Sequence, residues 1–239
     1  MITVDPDGPV PQPGPVPHRL SRRWLGLASV LLFLLFAALA ARVYSGSTPL
    51  RVDRAASRVA NSATLTQAVH GLSRTHPKSV FNEVANLGSP VLALGVAGAL
   101  AAMARHRHDR LAMILCLAGP VVAVVLTELV AKPVVHRHMG NALTYPSGHT
   151  TDAASVATVV VLVLWRWHGW RMALRWAPVV AMVPLAVSLA VVRLRWHFAT
   201  DALGGIAVGV ASVLGVAAIL PDARPLTRPA EPELAVSRR

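Results

Sequence analysis

Pro146-Ser147-Gly148-His149 stands at the head of an apolar run, about residues 150–165. Arg193-Leu194-Arg195-Trp196-His197, with Asp201 one helical turn on, joins two more runs, about 177–194 and 202–220. Three further runs precede them: Trp24–Ala41, about 83–104 and about 111–131. Roughly 18 or more apolar residues suffice for a helix to cross a bilayer. The expected fold is therefore all-α, a polytopic bundle of six transmembrane helices occupying residues 19–220.

Composition agrees with that reading. Of 239 residues, 54% are hydrophobic and only 14% charged, too apolar for an ordinary soluble domain. The single cysteine, Cys116, lies inside an apolar run, so neither a disulfide framework nor a cysteine-based zinc site is available. A net charge of +12 would suggest nucleic acid in a soluble chain. Here the arginines crowd into short loops between apolar runs, so the partner is the anionic lipid bilayer and no nucleic acid is expected. Ala41-Arg42-Val43 lacks a small-x-small cleavage site, which favours a retained first helix over a signal peptide.

Residues 1–18 carry six prolines and read as a disordered cytoplasmic tail; 221–239 read as a second cytoplasmic tail. Orientation follows from arginine in short loops. Arg19, Arg22 and Arg23, then Arg105, Arg107 and Arg110, then Arg166, Arg171 and Arg175, then Arg224 and Arg228 fall on one face. That face is expected to be cytoplasmic, with both termini, in a multi-pass protein of the cell membrane. The opposite loop, about 46–80, also holds Arg51, Arg54, Arg58, Arg74 and Lys78. Its stretch from Val52 to Leu72 reads either as an amphipathic helix on the outer surface or as a polar loop.

This topology sorts the reactive side chains. Lys132 ends the third span, the 146–149 tetrad starts the fourth, and Arg193 to Asp201 joins the fifth and sixth, all on the extracytoplasmic face. A phosphate monoester carries close to two negative charges, which fixed donors must hold in the transition state. Lys132, Arg137, Arg193 and Arg195 are the available cations, although each alone could be snorkelling to the head groups. Ser147 and Gly148 begin a helix whose first N–H groups lack partners, and glycine lets an oxyanion approach closely. His197 and Asp201 are spaced i, i+4, so the carboxylate can fix one imidazole nitrogen and free the other to attack phosphorus. His149 can then protonate the leaving group and later activate water. Glu128 stands four residues before Lys132 and can pair with it, and Asp152 stands three after His149. His136-x-His138 has no carboxylate beside it and no zinc-enzyme spacing occurs, so neither metal nor cofactor is expected.

Lys132…Arg137, Pro146-Ser147-Gly148-His149 and Arg193-x-Arg195-x-His197-x3-Asp201 resemble the three signature blocks of the type 2 phosphatidic acid phosphatase family. The resemblance covers about 79–220. It implies a six-helix membrane phosphatase without a metal, working through a phosphohistidine. His197 would be the nucleophile, Asp201 its orienter and His149 the acid. Lys132, Arg137, Ser147, Gly148, Arg193 and Arg195 would hold the phosphate, with Glu128 and Asp152 behind them. Two positions depart from the family. Met139 stands seven after Lys132, where an arginine is usual, so Arg137 is the substitute. Val191 stands six before His197, again where an arginine is usual, and Arg193 is favoured over Arg195 because it lies four before His197.

The expected substrate is a lipid phosphate: a polyprenyl (di)phosphate, phosphatidate or phosphatidylglycerophosphate, with a slight preference for the polyprenyl carrier. Two alternatives use the same residues. One is transfer of the phosphoryl group to a lipid or sugar hydroxyl; the other is a lipid-phosphate binder or transporter without turnover. Oligomeric state has no signal in the sequence.

Overall fold

The computed structural model describes residues 21–72 and 77–220. The two tails, with Arg19, Arg224 and Arg228, and Arg74 of the long loop lie outside the described residues. The elements are α1 (Arg22–Val43), α2 (Arg51–Ala60), α3 (Ala63–Leu72), α4 (Pro77–Asn86), α5 (Pro90–His106), α6 (Arg110–Val125), α7 (Lys132–Val135), β1 (His138–Met139), β2 (Ala142–Leu143), α8 (Gly148–His168), α9 (Trp170–Arg193) and α10 (Ala199–Ile219). A π-helical segment, Leu126–Ala131, joins α6 to α7 so that 110–135 forms one continuous span.

Five helices are long and apolar enough to cross a membrane, and the bent α4–α5 pair makes six. Their outward faces carry exposed Leu27, Leu31, Leu34, Val91, Leu94, Val179, Met182 and Leu185. An apolar belt of this extent is unfavourable in water and comfortable in lipid. Inside, two of the three buried clusters among the described residues fill most of the bundle, and Val43, Val135 and Tyr145 form the third. Phe81, Ala85, Ala153, Val187, Ala190, Val191 and Ala202 form one, and Leu115, Cys116, Val159, Val163, Val213 and Val216 belong to the other.

α10 is the central helix, and α1 packs along it through small residues. A Cβ on Gly26 would sit 3.7 Å from the Ala218 side chain, and Ser29 Oγ donates to the Ala211 carbonyl at 2.8 Å. In lipid, such close backbone approach and buried hydroxyl bonding hold helices together where apolar transfer cannot. Arg22 closes the seam by donating to the free carbonyls of Ala218 and Ile219 at 2.8 and 3.0 Å. The start of α1 and the end of α10 therefore share one end of the bundle. At that same end Arg166 and Trp167 of α8 bond Asp109, the residue that caps α6.

Three segments differ from the sequence reading. The run about 83–104 is two helices, bent by 41° at Leu87-Gly88-Ser89, because Ser89 caps α5 and Pro90 starts it. The expected polar loop 166–175 is helical. Only Gly169 separates α8 from α9, with φ +85°, a conformation that glycine alone adopts without strain. Its arginines lie along helix ends, Arg166 paired with Asp109 at 2.5 Å. The stretch 52–72 is two helices, α2 and α3, interrupted at Asn61-Ser62. α2 covers α9 and α10 at the other end of the bundle.

Candidate active site

That other end gathers the C-terminus of α1, the α6–α7 span, the β hairpin, the start of α8 and the α9–α10 turn. Ser45 N–H donates to Val135 at 2.8 Å and His138 N–H to Gly46 at 3.1 Å, tying the hairpin to α1. Gly140, φ +60°, opens the two-residue turn between β1 and β2, which pair His138 with Leu143 and Met139 with Ala142. The chain then enters α8 packed tightly on α10. A Cβ on Gly204, Gly205 or Gly209 would lie 2.6 Å from the Tyr145 ring, the Ser147 carbonyl or the Thr151 carbonyl, respectively. Bulk at any of them would push the head of α8 off α10.

A cavity of about 370 Å³ opens there. Its wall includes Thr127, Glu128, Lys132, Thr144, Gly148, His149, Asp152, Trp196 and His197, with Pro90 and Val124 below. Both histidines, delivered by different spans, thus face one space. The His149 ring packs at 5.5 Å from Trp196, beside His197. Among the described residues, Lys132 is the one lysine or arginine lining it.

His197 lies in the α9–α10 turn, its side chain 12% exposed. Its Nδ1 is 2.9 Å from the Thr144 carbonyl oxygen, which only a protonated nitrogen can satisfy. Nε2 therefore carries the lone pair. Burial pushes the imidazole down to about 4; the Thr144 bond opposes this, and the charges of Lys132 and His149 add to it. The ring is neutral at neutral pH, the state a nucleophile needs.

The i, i+4 spacing suggests Asp201 as the partner of Nδ1, but its Oδ2 stands 3.9 Å away. Asp201 is the third residue of α10 and accepts the Phe198 N–H at 2.9 Å, completing the helix start directly after His197. The carbonyl of Thr144 holds the imidazole instead.

Lys132 Nζ lies 2.7 Å from each carboxylate oxygen of Glu128. The π-helical segment carries Glu128 and brings it over the head of α8. A Cβ on Gly148 would be 2.8 Å from Glu128 Oε1 and 3.8 Å from Lys132 Nζ. The missing methyl group leaves room for Glu128 Oε1 beside the first N–H groups of α8, which lack partners within the helix. Ser147 is fully buried, accepting from Thr150 Oγ1 at 3.2 Å, and does not reach the cavity. Asp152 is buried on the wall, 3% exposed.

The three arginines expected around the phosphate lie elsewhere. Arg137 is 1% exposed, with Nη1 donating to Asp201 at 2.5 Å and Thr200 at 2.6 Å, and Nη2 to Asp53 at 3.0 Å. Its guanidinium stacks on Phe198 at 4.1 Å. Arg193 donates to Asn61 Oδ1 at 2.6 Å and lies over Phe81. Arg195, φ +60°, is exposed outside the cavity. His136 and His138 pack edge to face at 4.5 Å outside it, and no described cluster of three His, Cys, Asp or Glu side chains is placed to hold a metal.

Sequence reasoning missed Asp53, Thr144 and Thr200. Asp53 is 2% exposed and accepts from the Thr200 N–H at 2.8 Å, Thr200 Oγ1 at 2.9 Å, the Leu50 N–H at 2.9 Å and Arg137. Burial works against its charge, but these bonds outweigh it and hold the carboxyl below the usual aspartate range. The one local signal was an acid three residues after Leu50, at a helix start.

The pattern of the PAP2 superfamily matches residues 88–225, which include Lys132, His149 and His197. Among solved structures, the fold is similar to the crystal structure of the first transmembrane PAP2 type phosphatidylglycerolphosphate phosphatase from Bacillus subtilis. The TM-score is 0.60 at 21% identity, covering 80% of this chain and 94% of that chain. No curated protein matches this chain.

Proposed function

The chain belongs to the PAP2 superfamily, and from that premise we propose that it is a membrane lipid phosphatase working through a phosphohistidine at His197. The observation that carries the reading is the shared cavity: two histidines from different spans, one with its nucleophilic nitrogen free, beside Lys132 and the open start of α8.

The steps follow from the groups on the wall. Lys132 and the α8 N–H groups take the phosphoryl oxygens, and the Glu128 carboxylate gives up Lys132 to them. The lone pair of His197 Nε2 attacks phosphorus. The bond to the lipid oxygen breaks, and the departing group takes a proton from His149. The phosphohistidine keeps its Nδ1–H on the Thr144 carbonyl, which favours the positive charge the ring now bears. Water then attacks, neutral His149 takes its proton, the P–N bond returns its electron pair to Nε2, and inorganic phosphate leaves.

A lipid substrate is supported by a second, smaller hollow of about 130 Å³ between α5 and α6. It is walled by Ala93, Leu94, Pro120, Val121 and Val125, and shares Pro90, Val124 and Asp152 with the cavity. A hydrocarbon chain can lie there while its phosphate reaches the histidines. The arginine-rich turns at the opposite end favour an extracytoplasmic site by the positive-inside rule. The test is phosphate release by purified protein from dioctanoyl phosphatidate, phosphatidylglycerophosphate and farnesyl diphosphate. The proposal predicts turnover of at least one and none by His197→Ala; activity retained in that variant removes the nucleophile.

A further inference from the structure

Resting on that reading, we propose that Asp53 is a positioning residue for the nucleophile, supplied by a helix that lies before the segment matched to the family. Helix α10 begins right after His197, and its first N–H groups have no partners within the helix. Phe198, at the cap position, has no side chain to offer them. Two carboxylates do the work. Asp201 takes the Phe198 N–H from within α10, and Asp53 of α2 takes the Thr200 N–H at 2.8 Å from outside.

The same carboxylate grips the turn twice more. It accepts the Thr200 hydroxyl at 2.9 Å, and that hydroxyl accepts Arg137 Nη1 at 2.6 Å. It also accepts Arg137 Nη2, while Nη1 of that arginine binds Asp201. The Arg137 backbone carbonyl in turn receives the Thr144 N–H at 2.9 Å, and Thr144 is the residue whose carbonyl orients His197 Nδ1. Both anchors of the imidazole, the turn behind it and the carbonyl in front, are therefore fastened to one buried cluster. Asp53 contributes the carboxylate that lets Arg137 serve both.

Asp53 touches neither the cavity nor substrate, so its loss should leave substrate recognition by Lys132 and Gly148 in place. What it changes is the aim of Nε2. A displacement of about an ångström costs on the order of 10²-fold in rate.

The experiment is single-turnover phosphate transfer with excess full-length enzyme in detergent. It uses whichever of dioctanoyl phosphatidate, phosphatidylglycerophosphate and farnesyl diphosphate the wild type hydrolyses fastest. With folded enzyme in saturating excess the rate constant is independent of how much protein is folded, and size-exclusion chromatography in detergent reports that fraction. Asp53→Asn should lower the rate constant roughly 10- to 100-fold with KM within about threefold. Thr200→Val, which keeps the backbone bond, should lower it less, and Thr200→Ser should restore it. An unchanged saturating rate constant in Asp53→Asn, at full or at reduced folded yield, overturns the proposal and leaves a purely structural residue. A wild type that hydrolyses none of the three lipids withdraws the proposed function, and this inference with it.

Discussion

Glu128 holds Lys132 by both carboxylate oxygens at 2.7 Å, directly beside the Gly148 Cα where a phosphoryl oxygen would be received. The one lysine or arginine on the described cavity wall is thus already neutralised by a neighbour that is itself 42% exposed. On the proposed mechanism the substrate phosphate displaces that carboxylate. Glu128→Gln should therefore lower KM, and tighten inhibition by inorganic phosphate, by up to about tenfold, the equivalent of 1.4 kcal/mol. Steady-state kinetics with phosphate as product inhibitor checks this; a raised KM would mean that Glu128 chiefly aims Lys132.

Gly148 gives the complementary prediction. In Gly148→Ala the added methyl group would press on Glu128 Oε1 and take the space proposed for a phosphoryl oxygen. KM should rise about tenfold or more, with helical content in circular dichroism unchanged, since alanine favours helix over glycine. Wild-type KM would place the phosphate elsewhere in the cavity.

Arg137 and Arg195 should separate cleanly. Arg137→Ala leaves Asp53 and Asp201 as buried, uncompensated carboxylates. Breaking such a pair costs about 3–5 kcal/mol, so thermal stability and folded yield in detergent should fall sharply. Arg195→Ala, exposed and outside the cavity, should change neither stability nor KM. An Arg137 variant of normal stability with a raised KM would return that arginine to the phosphate.

The buried His197 ring links stability to pH. Its folded value near 4 lies below the ordinary 6.5, so between those limits the unfolded chain binds a proton that the folded one refuses. Stability from this group is complete above about pH 6.5 and falls as pH drops toward 4. His197→Ala removes the effect, so its melting temperature in detergent should fall less than that of wild type between pH 6.5 and 4.5. Parallel curves for the two proteins would mean that the ring protonates freely in the fold.

Much of this site was legible as sequence, because Pro146 to His149 and His197 stand where apolar runs stop. Lys132, His149 and His197 meet in the cavity as span counting expects. What could not be read was which cations line the cavity. Arg137 is absorbed by Asp53, 84 residues away, and Arg193 by Asn61, 132 residues away. No local pattern reports such pairings. The α4–α5 break was readable at Ser89-Pro90 but hidden under continuous hydropathy, and the lone turn residue Gly169 was masked by arginines that resemble a loop.

The central claim is that phosphorus passes through His197. Rapid acid-free quenching of the enzyme with a lipid carrying ³²P in its phosphate, followed by peptide mapping, tests it directly. Label should appear on the peptide containing His197, persist in base, be lost in acid, and accumulate in His149→Ala when the leaving group is good. Turnover with no label on His197, or label retained by His197→Ala, would contradict the account.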